Sequence, residues 1–119
     1  MSKDRLFLFH WNKAEAEGYA NDLRKLGWEV DLEWKDGARG AKAVKQDPPD
    51  AVIFYLTRLP SHSQATAEYL RQTKALRELP LIFVDGQDAA LDKTRQRIPT
   101  GIFIKSQELT KTLEGIEQG

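Results

Sequence analysis

Cysteine is absent from the 119-residue sequence, which removes disulfide bonds, thiolate metal ligands and thiol nucleophiles from consideration. A net charge is also lacking, because 18 Lys and Arg residues balance 18 Asp and Glu residues. A balanced chain does not create the strong field typical of proteins that bind nucleic acids or membrane surfaces. We therefore expect neither a nucleic acid nor a membrane as a partner.

Long hydrophobic runs are missing as well. Residues 1–4 lead into only four apolar residues, Leu6 to Phe9, which is too short for a signal peptide or a membrane span. We expect a cytoplasmic protein, and the chain length predicts a single domain over residues 1–119.

Motifs for metals, nucleotides and nucleophilic catalysis are not found either. His10 and His62 have no carboxylate or cysteine companions at metal-ligand spacing, so we predict no metal and no cofactor. The glycine pair Gly37 and Gly40 fits neither nucleotide-binding glycine pattern. The serines beside His62 do not make a catalytic triad, and we interpret residues 61–63 as a loop that caps a helix.

What the sequence does contain is a regular series of short apolar segments. Strands are predicted at residues 6–9, 29–34, 51–56, 81–84 and 101–104. The first, third and fourth of these are continuous apolar runs, which are typical of strands buried on both faces. In the second, Val30, Leu32 and Trp34 alternate with three acidic residues, which predicts an edge strand with an acidic outer face.

Helical spacing of apolar residues follows each strand. Helices are predicted at residues 13–26, 38–46, 64–79, 88–96 and from 106 onward. Asn12 is a candidate N-cap for the first helix and Gly27 ends it, whereas Gly40 weakens the second and Ser106 caps the last. This alternation predicts an α/β three-layer sandwich, a doubly wound (βα)5 fold with parallel strand order 2-1-3-4-5.

In such a sheet, ligands bind beyond the carboxyl ends of the strands where the strand order reverses. Here that point lies between the first and third strands. The residues that emerge at these strand ends include His10, Trp11, Tyr55, Asp85 and Lys105.

Three of the segments carry a family resemblance. Residues 49–54 (Pro-Asp-Ala-Val-Ile-Phe), 80–84 (Pro-Leu-Ile-Phe-Val) and 101–105 (Gly-Ile-Phe-Ile-Lys) resemble the third, fourth and fifth strands of the receiver domain of bacterial response regulators. The resemblance covers nearly the whole chain and implies the flavodoxin-like, CheY-like fold. It also implies a role in two-component signal transduction.

Receivers hold Mg²⁺ with an acidic pair after the first strand and accept a phosphoryl group on an aspartate that ends the third. The resemblance places the acidic pair on His10 and Trp11, and the acceptor on Tyr55. Asp85 stands at the threonine position, and only Lys105 matches the family pattern. A register shift of one residue, to Asn12 and Leu56, supplies no carboxylate either.

These departures predict a degenerate phosphorylation pocket that binds no Mg²⁺ and accepts no phosphoryl group. Asp85 and Lys105 are candidates for an internal ion pair. Tyr55 is either a core residue or a stand-in for the acceptor, and modification of its hydroxyl stays open. Arg58 either contacts an anion at the mouth of the pocket or lies over apolar surface.

The functional expectation is therefore a stand-alone pseudo-receiver, not an enzyme, that acts through phosphorylation-independent protein–protein interaction. No output domain follows before Gly119. The partner is an unknown protein or a second copy, bound through the fourth helix, fifth strand and fifth helix, around residues 95–116. The alternative is a small-ligand sensor or enzyme that uses the same strand-end residues.

Overall fold

A single five-stranded parallel sheet organises the chain in this computed structural model, which describes residues 4–118. Residues 1–3 and 119, which the predicted domain includes, lie outside the described residues. The strands are β1 (Arg5–Phe9), β2 (Glu29–Glu33), β3 (Ala51–Tyr55), β4 (Leu81–Val84) and β5 (Ile102–Ile104). Their order is β2-β1-β3-β4-β5, which confirms the predicted topology. In the centre, Leu8 is paired with both Leu32 and Ile53.

Five helices cover the two faces of the sheet. They are α1 (Lys13–Lys25), α2 (Gly37–Gln46), α3 (Pro60–Gln72), α4 (Asp88–Arg97) and α5 (Leu109–Gln118). One apolar core lies between the sheet and the pair α1 and α5, and a second lies between the sheet and α2, α3 and α4. No helix within residues 4–118 is long and apolar enough to cross a membrane.

The ends of α1 agree with the sequence prediction. The Asn12 side-chain oxygen accepts a hydrogen bond from the amide of Glu15 at 3.0 Å, as an N-cap does. Gly27 follows the helix at φ 100°, a conformation that glycine adopts without a steric penalty. The predicted cap at Ser106 was wrong, because a 3₁₀ turn (Ser106–Glu108) begins there and Glu108 accepts the Lys105 amide at 2.8 Å.

The third helix is shifted from the prediction of residues 64–79. It begins at Pro60, whose fixed φ suits the first position of a helix, and ends at Gln72. Thr73 is extended, and a separate 3₁₀ turn follows at Lys74–Leu76. Residues 61–63 therefore belong to the first helical turn rather than to a loop.

Glu29 and Asp31 are exposed, as predicted for an acidic outer face of β2, but Glu33 departs from that prediction. It is only 6% exposed, and the Arg39 guanidinium donates to both of its carboxylate oxygens at 2.8 Å. These hydrogen bonds lower the pKa of Glu33 to about 2. The ion pair ties the end of β2 to α2.

Gly40 does not interrupt α2, although glycine disfavours helix interiors. A Cβ at this position would lie 2.4 Å from the Phe9 ring, so only glycine lets α2 pack this closely on the sheet. Close packing places the first turns of α2 beside the carboxyl end of β1.

Candidate functional site

His10 follows β1 and is fully enclosed, with 0% of its surface exposed. Its Nε2 lies 2.7 Å from the Glu15 carboxylate, and the rings of Tyr19 and Tyr55 each lie 5.3 Å from the imidazole in edge-on contact. Within residues 4–118, Nδ1 has no hydrogen-bond partner. His10 is therefore a member of a polar and aromatic cluster in which His10 and Tyr55 are buried and Arg58 is exposed. We call it the β1–β3 end cluster: His10, Glu15, Tyr19, Tyr55 and Arg58.

Tyr55 ends β3 and is 3% exposed. Its ring is stacked on Tyr19 at a centroid distance of 4.1 Å and an interplanar angle of 6°. Burial raises the pKa of the Tyr55 phenol above its usual value, so the hydroxyl stays protonated at neutral pH. A protonated, enclosed phenol is a poor nucleophile.

Glu15 and Arg58 close the outer side of this cluster. Glu15 lies in the first turn of α1, and Arg58 lies between β3 and α3. The guanidinium donates from Nε to Oε1 at 3.1 Å and from Nη2 to Oε2 at 2.5 Å. Hydrogen bonds from Arg58 first, and from His10 second, lower the pKa of Glu15 to about 2. Arg58, the predicted anion contact, is thus already engaged with a carboxylate.

Trp11 points to the opposite side of the sheet from His10, since successive residues after a strand alternate in direction. Its indole Nε1 donates to the hydroxyl of the buried Ser63 at 2.9 Å. The ring contacts His62 edge-on at 5.6 Å and lines a cavity of about 150 Å³ beside α3.

Asp85 and Lys105 lie at the ends of β4 and β5. Asp85 adopts φ 60°, and its carboxylate accepts the Ser106 amide at 2.9 Å. In the part of the chain that the structure describes, no ion pair within 4.0 Å joins Asp85 to Lys105, so the hypothesised pairing was wrong. Both residues line a cavity of about 140 Å³ together with Phe103.

The five strand-end residues predicted from the sequence therefore do not converge on one pocket. His10 and Tyr55 meet in the β1–β3 end cluster, Trp11 lies on the α3 side, and Asp85 and Lys105 border a separate cavity. Among residues 4–118, no group of three or more His, Asp or Glu side chains is placed to hold a metal ion.

Sequence reasoning missed Glu15, Tyr19 and Ser63 as neighbours of the predicted residues. The sequence around each of these residues indicates only its local secondary structure. The spacing of Asn12 and Glu15 fits a capping box, Tyr19 lies in the apolar stripe of α1, and Ser63 was assigned to a loop. None of these signals indicates which strand end the side chain reaches.

Comparison with known proteins gives a fold but no close relative. No protein-family model and no curated protein matches the sequence. A CheY-like receiver domain from Methylobacillus flagellatus has a TM-score of 0.80 at 21% identity, over 98% of this chain and 100% of that one. The chemotaxis response regulator of Vibrio cholerae has a TM-score of 0.77 at 12% identity, over 97% of this chain and 99% of that one.

The receiver domain of a Pseudomonas aeruginosa sensor histidine kinase, with magnesium coordinated in its active-site cleft, has a TM-score of 0.76 at 21% identity. The match covers 99% of this chain and 100% of that domain. The chain has the receiver-domain fold. At identities of this size, structural similarity shows the fold alone. It confirms the CheY-like, flavodoxin-like α/β architecture predicted from the sequence.

Proposed function

We propose that this chain is a receiver-like signalling module that works by contact with another protein and without phosphorylation of its strand-end pocket. The observation that carries the proposal is the β1–β3 end cluster. At the positions where the resemblance puts a metal-binding acidic pair and an acceptor aspartate, a buried imidazole, an indole and a buried phenol are found.

Charge at the mouth of the pocket argues against a bound divalent cation. Mg²⁺ requires several hard oxygen ligands in octahedral geometry. Glu15 is the carboxylate next to His10, and its oxygens already accept hydrogen bonds from the Arg58 guanidinium. A cation here would have to displace Arg58 or approach a positive charge, so we expect very weak Mg²⁺ binding.

The partner surface we propose is the α4–β5–α5 face, residues 95–116. Ile102, Phe103 and Ile104 of the edge strand β5 are all only half-buried. The Arg95 guanidinium lies 5.0 Å above the Phe103 ring. An apolar edge strand with a cation over an aromatic ring is a reasonable contact surface for a protein, and a second copy of this chain is one such partner.

The deciding experiment is incubation with acetyl phosphate and MgCl₂, followed by intact-mass measurement. We expect no mass gain, and a gain of one phosphoryl group would overturn the proposal. Magnesium titration by calorimetry is the second measurement, with the Pseudomonas receiver domain that holds magnesium as the positive control. Saturable binding of Mg²⁺ to this chain, at concentrations similar to those that saturate the control, would also contradict the proposal.

The partner surface is tested separately by a photo-crosslinking residue at Lys111 on α5, with Lys25 on α1 as the matched control. Both are exposed lysines on helices. Sedimentation of purified protein over a concentration series measures self-association, and crosslinks between copies at position 111 but not 25 are expected if the partner is a second copy. Equal crosslinking at both positions would remove the α4–β5–α5 face from the proposal.

A small-ligand sensor is the second candidate, favoured by a cavity of about 500 Å³ beyond the ends of β3 and β4. Leu56, Thr57, Pro60 and Gly86 are among its lining residues. A thermal-shift screen of nucleotides and metabolites tests this candidate. A stabilising compound whose effect is lost in a Thr57→Leu variant would favour the sensor over the interaction module.

A further inference from the structure

A groove runs between α2 and α3 on the side of the sheet away from the β1–β3 end cluster. Its main part has a volume of about 280 Å³, and it continues into the Trp11 cavity of about 150 Å³ through the shared residues Gly37, Ala65 and Thr66. We call this continuous feature the α2–α3 groove. It extends from Trp11 at the strand end to Tyr69 farther along α3.

Small side chains make the groove apolar and shallow. Ala38, Ala41 and Ala65 line it, and a Cβ at Gly37 would lie 2.5 Å from the Thr66 hydroxyl. Tyr69 at the far end is 48% exposed, one of three large hydrophobic residues with so much exposed surface among those described. The groove therefore offers an apolar strip bounded by an aromatic ring at each end.

The segment that forms one wall of this groove, residues 35–46, is positively charged although the chain as a whole is neutral. Residues 35–46 contain four basic residues and one acidic residue, Asp36, which caps α2. Arg39 is neutralised by Glu33, and Lys45 donates to the Tyr69 hydroxyl at 3.0 Å. Lys35 and Lys42 are exposed, and neither forms a side-chain ion pair with any residue in the described range 4–118.

We propose that the α2–α3 groove binds an acidic, amphipathic segment of a partner protein. Apolar side chains of that segment lie on the alanine floor between Trp11 and Tyr69, and its carboxylates face Lys35, Lys42 and Lys45. Charge complementarity selects an acidic partner, and the apolar floor favours a peptide over a nucleic acid. This surface is separate from the α4–β5–α5 face.

The test is an NMR titration of the full ¹⁵N-labelled chain with a synthetic peptide of about twelve residues, with Leu at helical spacing and Glu at the other positions. A matched peptide carries Lys in place of Glu, and a single-stranded oligothymidylate of similar length is the third probe. We expect shifts confined to residues around the groove with the Glu peptide alone. Salt should weaken binding, because exposed charges are screened beyond about 10 Å at 0.1 M.

Two alanine variants sharpen the assignment. Ala65→Glu puts a carboxylate on the groove floor, whereas Ala89→Glu makes the same change at an exposed position on α4. We expect Ala65→Glu to weaken binding of the Glu peptide about tenfold or more and Ala89→Glu to leave it within about twofold. Unchanged dispersion of the amide spectrum shows that each variant is folded.

The charge requirement is tested with the double variant Lys35→Gln and Lys42→Gln. It should weaken binding about fivefold and flatten the salt dependence. Three results would overturn the inference: no shifts with the Glu peptide, equal shifts with the Lys peptide, or tighter binding of the oligothymidylate. Shifts confined to residues 95–116 would also overturn it while leaving the proposed partner face intact.

Discussion

His10 and Trp11 are neighbours in the chain but lie in two very different environments. On the α1 side, His10 is enclosed with Tyr55 and Tyr19 and closed off by an ion pair. On the α3 side, Trp11 borders an open groove that continues along two helices. The comparison teaches that the imidazole of His10 and the phenol of Tyr55 are enclosed, whereas the groove beside Trp11 is accessible. We infer that the enclosed α1 side contributes to stability and that the open α3 side contributes to recognition.

The largest expected effect comes from removing the enclosed histidine. His10→Ala leaves a cavity between two tyrosine rings and removes a hydrogen bond to Glu15, so we expect a loss of about 3 kcal/mol in the free energy of unfolding. Urea denaturation measures it. His62→Ala is the matched control, since His62 is exposed on α3, and should cost less than about 0.5 kcal/mol. Similar losses of unfolding free energy in the two variants would show that the α1 and α3 sides do not differ in their contribution to stability.

Packing of α2 on the sheet is the next effect in size. A methyl group at Gly40 would overlap the Phe9 ring, so Gly40→Ala should destabilise the protein by about 1–3 kcal/mol. Gly18→Ala is the control, because a Cβ there meets nothing within 4 Å, and it should stabilise α1 by about 0.5–1 kcal/mol. Thermal denaturation of both variants measures these effects. An unchanged melting temperature for Gly40→Ala would contradict the close packing of α2 on the sheet.

Trp11→Phe tests whether the open side is anchored by one hydrogen bond. The variant keeps an aromatic ring but leaves the buried Ser63 hydroxyl without its indole donor, which should cost about 1 kcal/mol. A double-mutant cycle with Ser63→Ala measures the coupling. Additive losses would mean that the hydrogen bond does not contribute to stability. Chemical shifts of Tyr55 should stay unchanged if the two sides are independent.

The smallest effect is a pH dependence on the enclosed side. The pKa of Glu15 in the folded protein is about 2, below its ordinary 4.5, so its stabilising contribution is complete above about pH 5. That contribution is lost as the pH falls through 4 towards 2. Arg58→Gln removes the main cause of the lowered pKa and should reduce the melting temperature slightly at pH 7.

The difference in melting temperature between the two proteins should then shrink as the pH falls from 4 towards 2, because Glu15 is protonated first in the variant and only near pH 2 in the wild type. Arg95→Gln is the control, because among residues 4–118 the ion pair of Arg95 is a long one to Asp92, at 3.9 Å, and its loss should not change the pH profile. If the difference in melting temperature between wild type and Arg58→Gln stayed constant from pH 7 to pH 3, Arg58 would not be the cause of the lowered pKa of Glu15.

Several local features could be predicted because they depend on neighbours in the chain. Asn12 caps α1 through an amide three residues away, and Gly27 ends the same helix. Glu33 could not be assigned correctly from strand alternation, since its burial depends on Arg39 from the following helix. The start of α3 at Pro60 was missed because the polar residues 61–63 resemble a loop.

The sequence by itself determined the order of strands and helices, the parallel sheet and the edge position of β2, since apolar periodicity and right-handed crossovers leave few alternatives. Only the tertiary structure decided that Glu15 meets Arg58 across 43 positions and that Trp11 meets Ser63 across 52. Such contacts depend on the packing of separate elements and on side-chain direction at strand ends. Local periodicity contains no information about either.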